Sequence, residues 1–265
     1  MTFEEFKDEV FTKVKDARPD LTLELTEITR SAGEKYTGIA VRGRTLAPVV
    51  NLNAFYENYN NGSSVTTVVD EVCNIFEENA TPEGLNFDPE ETINYDKVNH
   101  FIFPRLVPKK DQYLALPHTE VADLLIVFGI RMFENDDGFG EGLVTQDLLE
   151  SWDVSPEEVL GRSMINLSLE TYEDLSMGPM TMISNRFKSK GAAMALHPEV
   201  MTKYSDCYIL PSSIDDIIAI PKDAVDDVDM LKEMVKTVND SKVSENMRLS
   251  YNVYEYRDGK LEVAV

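Results

Sequence analysis

Cysteine is scarce: Cys73 and Cys207 are the only two in 265 residues, and they form no CxxC pair. Two thiols give no disulfide framework, which argues against a small secreted scaffold stapled by bridges and for a reduced compartment. Histidine is too sparse for a recognisable metal motif. His100, His118 and His197 are scattered, and the His118-Thr119-Glu120 segment does not belong to an HExxH. No metal and no cofactor is expected. Neither GxGxxG nor GxxxxGK[ST] occurs, so the usual phosphate-cradling loops are missing. No apolar run approaches the ~20 residues that span a bilayer. The opening MTFEEFKDEVF has acids where an export signal carries basic residues and a long apolar core. A cytoplasmic location without membrane attachment is expected.

Positive charge is scarce too. Lys and Arg number 25 against 48 Asp and Glu, for a net −23. Such a field repels phosphate backbones and anionic lipids, so direct nucleic-acid binding is disfavoured, and a basic protein partner is the kind it attracts. The acidity does not signal disorder, because 43% hydrophobic and 9% aromatic residues suffice for a normal core.

What is present reads as an α+β chain, mainly antiparallel, with flanking helices. Thr2 and Glu5 form a capping box before Phe3, Phe6, Val10 and Val14, which share a helical face, and Arg18-Pro19 ends that helix. LTLELTEI alternates as a half-buried strand; YTGIAVR and APVVNL are further strands. NAFYENYNNG is a short helix closed by Asn61-Gly62, and Ser64 caps the next one. These elements predict an N-terminal α-β-β-β-α-α unit over 1–90 and a larger α+β unit over 91–265, which could share one core. TPEGLNFDPEETINYDKV, rich in proline and acids, reads as a linker or long surface connection. HFIFPRLV, interrupted by Pro104, is an edge or bulged strand. LLIVFGIRMF is a buried strand that NDDGFGEG turns into a hairpin. Thr145 and Ser155 open helices. MTMIS and AAMAL read as strands around the basic turn RFKSKG, followed by strands CYILP and IIAIP. A helix from about Asp226 to Lys242 and a hairpin turning at Asp258-Gly259 close the chain.

Three phrases, "LAPVVNLNAFYENYNNG", "LVTQDLLESWDVSPEEVLGRSMINL" and "CYILPSSIDDIIAIP", together resemble the recurring segments of a domain-of-unknown-function family from clostridial gut bacteria, often found near mobile elements. The resemblance implies a single-family architecture and a source. It supplies no catalytic residue.

"DCYILPSSIDDIIAIPKD" gathers a cysteine, two serines and two aspartates between apolar runs. A serine nucleophile wants a GxSxG elbow, and no glycine flanks Ser212 or Ser213. Ser213 with Asp216 instead suits the cap of a helical turn. Cys207 stands among apolar neighbours, where a thiol stays protonated. If the chain is a hydrolase-like enzyme, Cys207 with His197, or a carboxylate near His118, are the groups to test. The acidic loop at Gly138 fails as a calcium loop, since an EF-hand alignment puts Phe133 and Val144 at carboxylate positions. Glu134, Asp136, Asp137 and Glu141 form the densest cluster of acids expected on the surface. The leading expectation is therefore a non-catalytic acidic protein that binds a basic partner. Its most concrete form imitates a phosphate array and antagonises a nucleic-acid-binding enzyme, in the manner of an anti-restriction or anti-CRISPR factor.

Overall fold

The computed structural model describes residues 1–29, 35–42, 49–78, 85–136, 138–211 and 213–264. The chain divides into two compact units, Met1–Glu83 and Gly84–Val265. The division falls before 90 because Asn86 N–H donates to the Met132 carbonyl (2.9 Å) and Leu85 bridges Phe133, which ties this stretch to the second unit.

The first unit runs α1 (Phe3–Ala17), β1 (Leu23–Thr29), β2 (Lys35–Val41), β3 (Val50–Asn51), α2 (Leu52–Asn60) and α3 (Val65–Glu78), in the α-β-β-β-α-α order. Both halves of the Thr2–Glu5 capping box form. The three strands pair antiparallel in the order β1-β2-β3. Phe6, Val10 and Val14 of α1 meet Val68, Val72 and Phe76 of α3 with Ile39 and Leu52 in one buried cluster, and Tyr56 and Tyr59 of α2 lie 5.2 and 5.3 Å from the Phe6 ring. The C-terminus of α2 closes through Asn61 and Gly62, the latter at φ +110°, a conformation open to glycine.

The second unit continues with α4 (Tyr95–Val98), β4 (Ile102–Pro108), α5 (Asp111–Leu114), β5 (His118–Val121), β6 (Leu124–Asn135), β7 (Gly138–Leu143), α6 (Gln146–Trp152), α7 (Pro156–Ser168), β8 (Tyr172–Met177), β9 (Met180–Asn185), α8 (Pro198–Lys203), β10 (Cys207–Leu210), β11 (Ile217–Pro221), α9 (Val228–Lys242), β12 (Tyr254–Arg257) and β13 (Lys260–Val263). Its strands form two sheets, and every described pairing is antiparallel. In one, β6 is central, with β4 on one side and both β5 and β7 on the other. Pro104 sits in β4, an edge strand, where its missing N–H costs no ladder bond. The other sheet runs β13-β12-β10-β11-β9-β8. The β12–β13 hairpin turns through Asp258 (φ +49°) and Gly259 (φ +71°), the left-handed pair a two-residue turn requires.

Three expectations are corrected. The stretch read as a linker contains a 3-10 turn over Pro89–Ile93, N-capped by Asp88, and then α4; Trp152 Nε1 fastens it by donating to the Thr92 carbonyl (2.8 Å). AAMAL is a buried 3-10 helix, Gly191–Leu196, rather than a strand, in keeping with alanine's weak strand preference. Ser213 caps no helix. Its hydroxyl accepts from Asp215 N–H (3.0 Å) in a tight turn, and the Asp215 carboxylate and carbonyl receive the Lys190 and Gly191 amides (2.7 and 3.1 Å). Ser212 lies outside the described residues.

Phe6 is fully buried among rings and aliphatic side chains. Phe6→Ala should lower the stability of the first unit by about 3–5 kcal/mol, read as a lower urea midpoint. A change under about 1 kcal/mol would contradict this packing.

Candidate functional site

Alternation along β4 and β6 sorts their side chains onto two faces. Ile102 and Leu106 of β4 join Leu124, Ile126, Phe128 and Ile130 of β6 in the main core of the second unit. The opposite face begins apolar, with Val107, Leu125 and Val127 under Tyr113 and Leu116. Further along this face come Arg105 and Arg131, each almost wholly buried. A buried guanidinium must be neutralised, because breaking such a pair costs about 3–5 kcal/mol. The surroundings meet that demand.

Arg105 Nε donates to Glu141 Oε2 (2.7 Å), and its Nη2 closes on the same oxygen. Lys190 Nζ reaches Glu141 Oε1 (2.9 Å). Burial alone would raise the Glu141 carboxyl, but the Arg105 and Lys190 charges outweigh it and hold Glu141 below the ordinary glutamate value. Gly129 of β6 makes room: a Cβ there would stand 2.5 Å from Glu141 Oε2. Arg131 Nη1 donates to Glu134 Oε2 and its Nη2 to Glu170 Oε1, both at 2.8 Å. Its guanidinium carbon lies 3.9 Å from the Phe103 ring centre and 4.6 Å from that of Phe139. Arg186 also pairs with Glu134, and the Phe187 ring packs tilted against Phe139, centres 5.0 Å apart. The basic turn RFKSKG is thus docked on the acidic hairpin.

This changes the meaning of the acidic cluster. Glu141 is not on the surface; its side chain is only 4% exposed. Glu134 is partly buried between two arginines, Asp136 is exposed, and Asp137 lies outside the described residues. Charge density along the sequence pointed to the surface, whereas two of these carboxylates serve as internal counter-ions.

Beside Arg131 opens a cleft of about 380 Å³ whose walls include Phe101, Phe103, Asn166, Glu170, Arg162 and Arg186. Arg162, Asn166 and Glu170 follow one another at four-residue spacing down α7 and past its end, so they share one side. Asn166 Nδ2 fastens α7 by donating to the carbonyls of Asn99 (2.7 Å) and Ile102 (2.8 Å). Arg162 Nε donates to the Asn99 carbonyl (3.4 Å), its Nη2 contacts His100 Nδ1, and it makes no ion pair among the described residues. Two nearly buried groups keep unused polar atoms here: Arg131 Nε and Glu170 Oε2 have no hydrogen-bond partner among the described residues. Such atoms are costly to leave unmet, and both residues line the cleft, which makes it the candidate site.

None of Arg105, Arg131, Arg162 or Glu170 was anticipated. A signal existed, since an arginine inside an apolar strand, as in FPRLV or VFGIRMF, demands a buried acid. The anticipated catalytic candidates lie elsewhere. Cys207 is buried in β10, where loss of solvation, reinforced by Asp206, pushes its thiol up. His197 caps α8, its Nδ1 accepting from Glu199 N–H (3.2 Å), and its ring packs tilted against Tyr172 (5.4 Å). No hydrogen bond joins Cys207 and His197 among the described residues. His118 Nδ1 hydrogen-bonds the Leu116 carbonyl (2.7 Å), and the nearby Glu120 is paired with Lys109. Among the described residues no three His, Cys, Asp or Glu side chains gather to hold a metal, and no helix is long and apolar enough to cross a membrane.

Fold and site together define a mixed α+β protein with interlocked arginine–glutamate pairs beneath a polar cleft. The chain belongs to a family of unknown function, DUF5688, whose model matches residues 3–177 and 167–258. No curated protein and no solved structure matched it.

Glu141 titrates lower folded than unfolded, so its contribution to stability is complete above the ordinary value of 4.5 and lost as pH falls below it. Glu141→Gln should cost about 3–5 kcal/mol at neutral pH by stranding Arg105. The gap to the parent chain should narrow in urea titrations below pH 4.5. A gap that stays constant down to strongly acidic pH would refute the assignment.

Proposed function

We propose that the protein is a non-catalytic binding protein and that it takes a small anionic ligand in the arginine-lined cleft. One observation carries this reading: Arg131 and Glu170, whose side chains are nearly buried, line a cavity, and each keeps a buried polar atom without a partner among the described residues. Three arginines against two glutamates also give the cleft a positive balance inside a strongly acidic chain. A carboxylate or phosphate entering there leaves a repelling surface for an attracting recess. Its volume falls within the range of small-molecule sites, about 300–1,000 Å³. The setting of Cys207 and His197 lends an enzymatic reading no support.

The test is thermal unfolding of the full chain at fixed ionic strength with inorganic phosphate, succinate or individual amino acids. A ligand at a hundredfold its Kd should add about 2.7 kcal/mol, raising Tm by several degrees. The response should vanish in Arg162→Gln/Arg186→Gln, two partly exposed positions. If no compound raises Tm beyond a chloride control, or the double variant responds equally, the reading fails.

A second reading, a basic protein partner bound through the acidic surface, is supported by one face of the second unit. Asp88, Glu90 and Asp96 lie on a segment that Trp152 locks against α6, and Glu157 and Glu158 begin the neighbouring α7. These exposed acids could enter a basic groove that otherwise receives phosphates, as an antagonist of a nucleic-acid enzyme would. An octalysine peptide should bind the chain and weaken about tenfold or more as salt rises from 0.05 to 0.3 M. Changing these five acids to their amides should abolish that binding. Equal binding to the amide variant would overturn this reading.

A further inference from the structure

Arg131 and Glu170, an ion pair that lines the cleft, each keep one buried polar atom without a partner among the described residues, and the two atoms are of opposite kinds, which narrows the ligand. Arg131 Nε–H is a donor in want of an acceptor; Glu170 Oε2 is an acceptor in want of a donor. A simple anion answers the first and worsens the second, because it brings more negative charge to a carboxylate that already has one oxygen unpaired. We infer that the natural ligand is a zwitterion of the α-amino-acid type, its carboxylate drawn to the arginines and its ammonium to Glu170. This inference rests on the cleft being the binding site.

The placement of the charged groups supports that orientation. Glu170 stands at the C-terminal end of α7, where the helix dipole favours a cation, and its side chain is only 5% exposed. Arg162 lies two turns back along α7; it donates to the Asn99 carbonyl and contacts His100 but makes no ion pair among the described residues, so its charge is available to a carboxylate. Arg186 adds a second, more exposed guanidinium on the wall. Phe101, Phe103 and Leu169 give the same cavity apolar surface for a side chain. Three demands, an anion, a cation and an apolar group, are those an amino acid meets. Phosphate meets the first alone. The ammonium of such a ligand, held near a buried carboxylate, gains a charge-assisted hydrogen bond of the stronger class.

Calorimetric titration of the full chain with each proteinogenic L-amino acid, at neutral pH, tests the inference. The tightest binder is then compared with its deaminated acid, its decarboxylated amine and inorganic phosphate. At least one amino acid should bind, with both single-charge analogues weaker by about tenfold or more. Glu170→Gln should weaken the amino acid by a similar factor and leave the deaminated acid within about twofold. Arg162→Gln should weaken both. If Glu170→Gln fails to fold, the comparison of analogues on the parent chain, with Arg162→Gln, still decides. An acid or phosphate that binds as tightly as the amino acid would overturn the zwitterion while leaving an anion-binding cleft in place. If no amino acid, analogue or phosphate binds at all, both readings fall together.

Discussion

A guanidinium placed beneath a sheet is the constraint from which most of the second unit follows. Arg105 and Arg131 project from the same face of neighbouring strands, and neither can be left without a counter-charge. The demand fixes Glu141 on β7, which in turn requires a glycine at 129 so that the carboxylate has space. It fixes the docking of the 186–190 turn, whose Lys190 takes the second oxygen of Glu141 and whose Arg186 takes Glu134. It also fixes the end of α7, because Glu170 must reach Arg131. Phe103, Phe139 and Phe187 then lie against the Arg131 guanidinium, adding cation–π contacts to its ion pairs. The cleft is the residue of this arrangement: the side of the network where the protein's own groups run out.

The architecture was legible wherever a local rule decides the structure. The capping box at Thr2, the turn at Asn61-Gly62, the edge proline at 104 and the Asp258-Gly259 hairpin are each settled within a few residues, and each formed as read. Local rules failed where burial decides. AAMAL lacks any polar pattern, so nothing in it separates a strand from a buried 3-10 turn. Ser213 and Asp216 have the spacing of a cap, yet the chain around them is claimed by the Lys190 and Gly191 amides from a distant turn.

The site was the least legible part for the same reason. Glu134 and Glu141 stood out as acids near other acids, which is a statement about neighbours in sequence. Arg131 stands three residues from Glu134, but Arg105 and Arg186 lie 36 and 52 residues from the acids they meet, on a different strand and a different turn. Net charge misleads in the same manner. An excess of acid says where most side chains must be, facing water, and is silent about the few whose opposite charges meet inside. In this chain those few define the recess.

The interlocking of Gly129, Arg105, Glu141 and Lys190 bears on how the sequence can drift over generations. Losing Arg105 or Glu141 strands the other in a dry setting, and a side chain at 129 collides with the carboxylate before any benefit can appear. Single steps away from the set therefore descend in fitness before they can climb. An apolar replacement of the whole set would be tolerable in energy, since buried ion pairs give little net stability over well-packed hydrocarbon, but it lies several simultaneous changes away. Within the family positions 105, 129 and 141 should be held or exchanged together, while the exposed acids around them change freely.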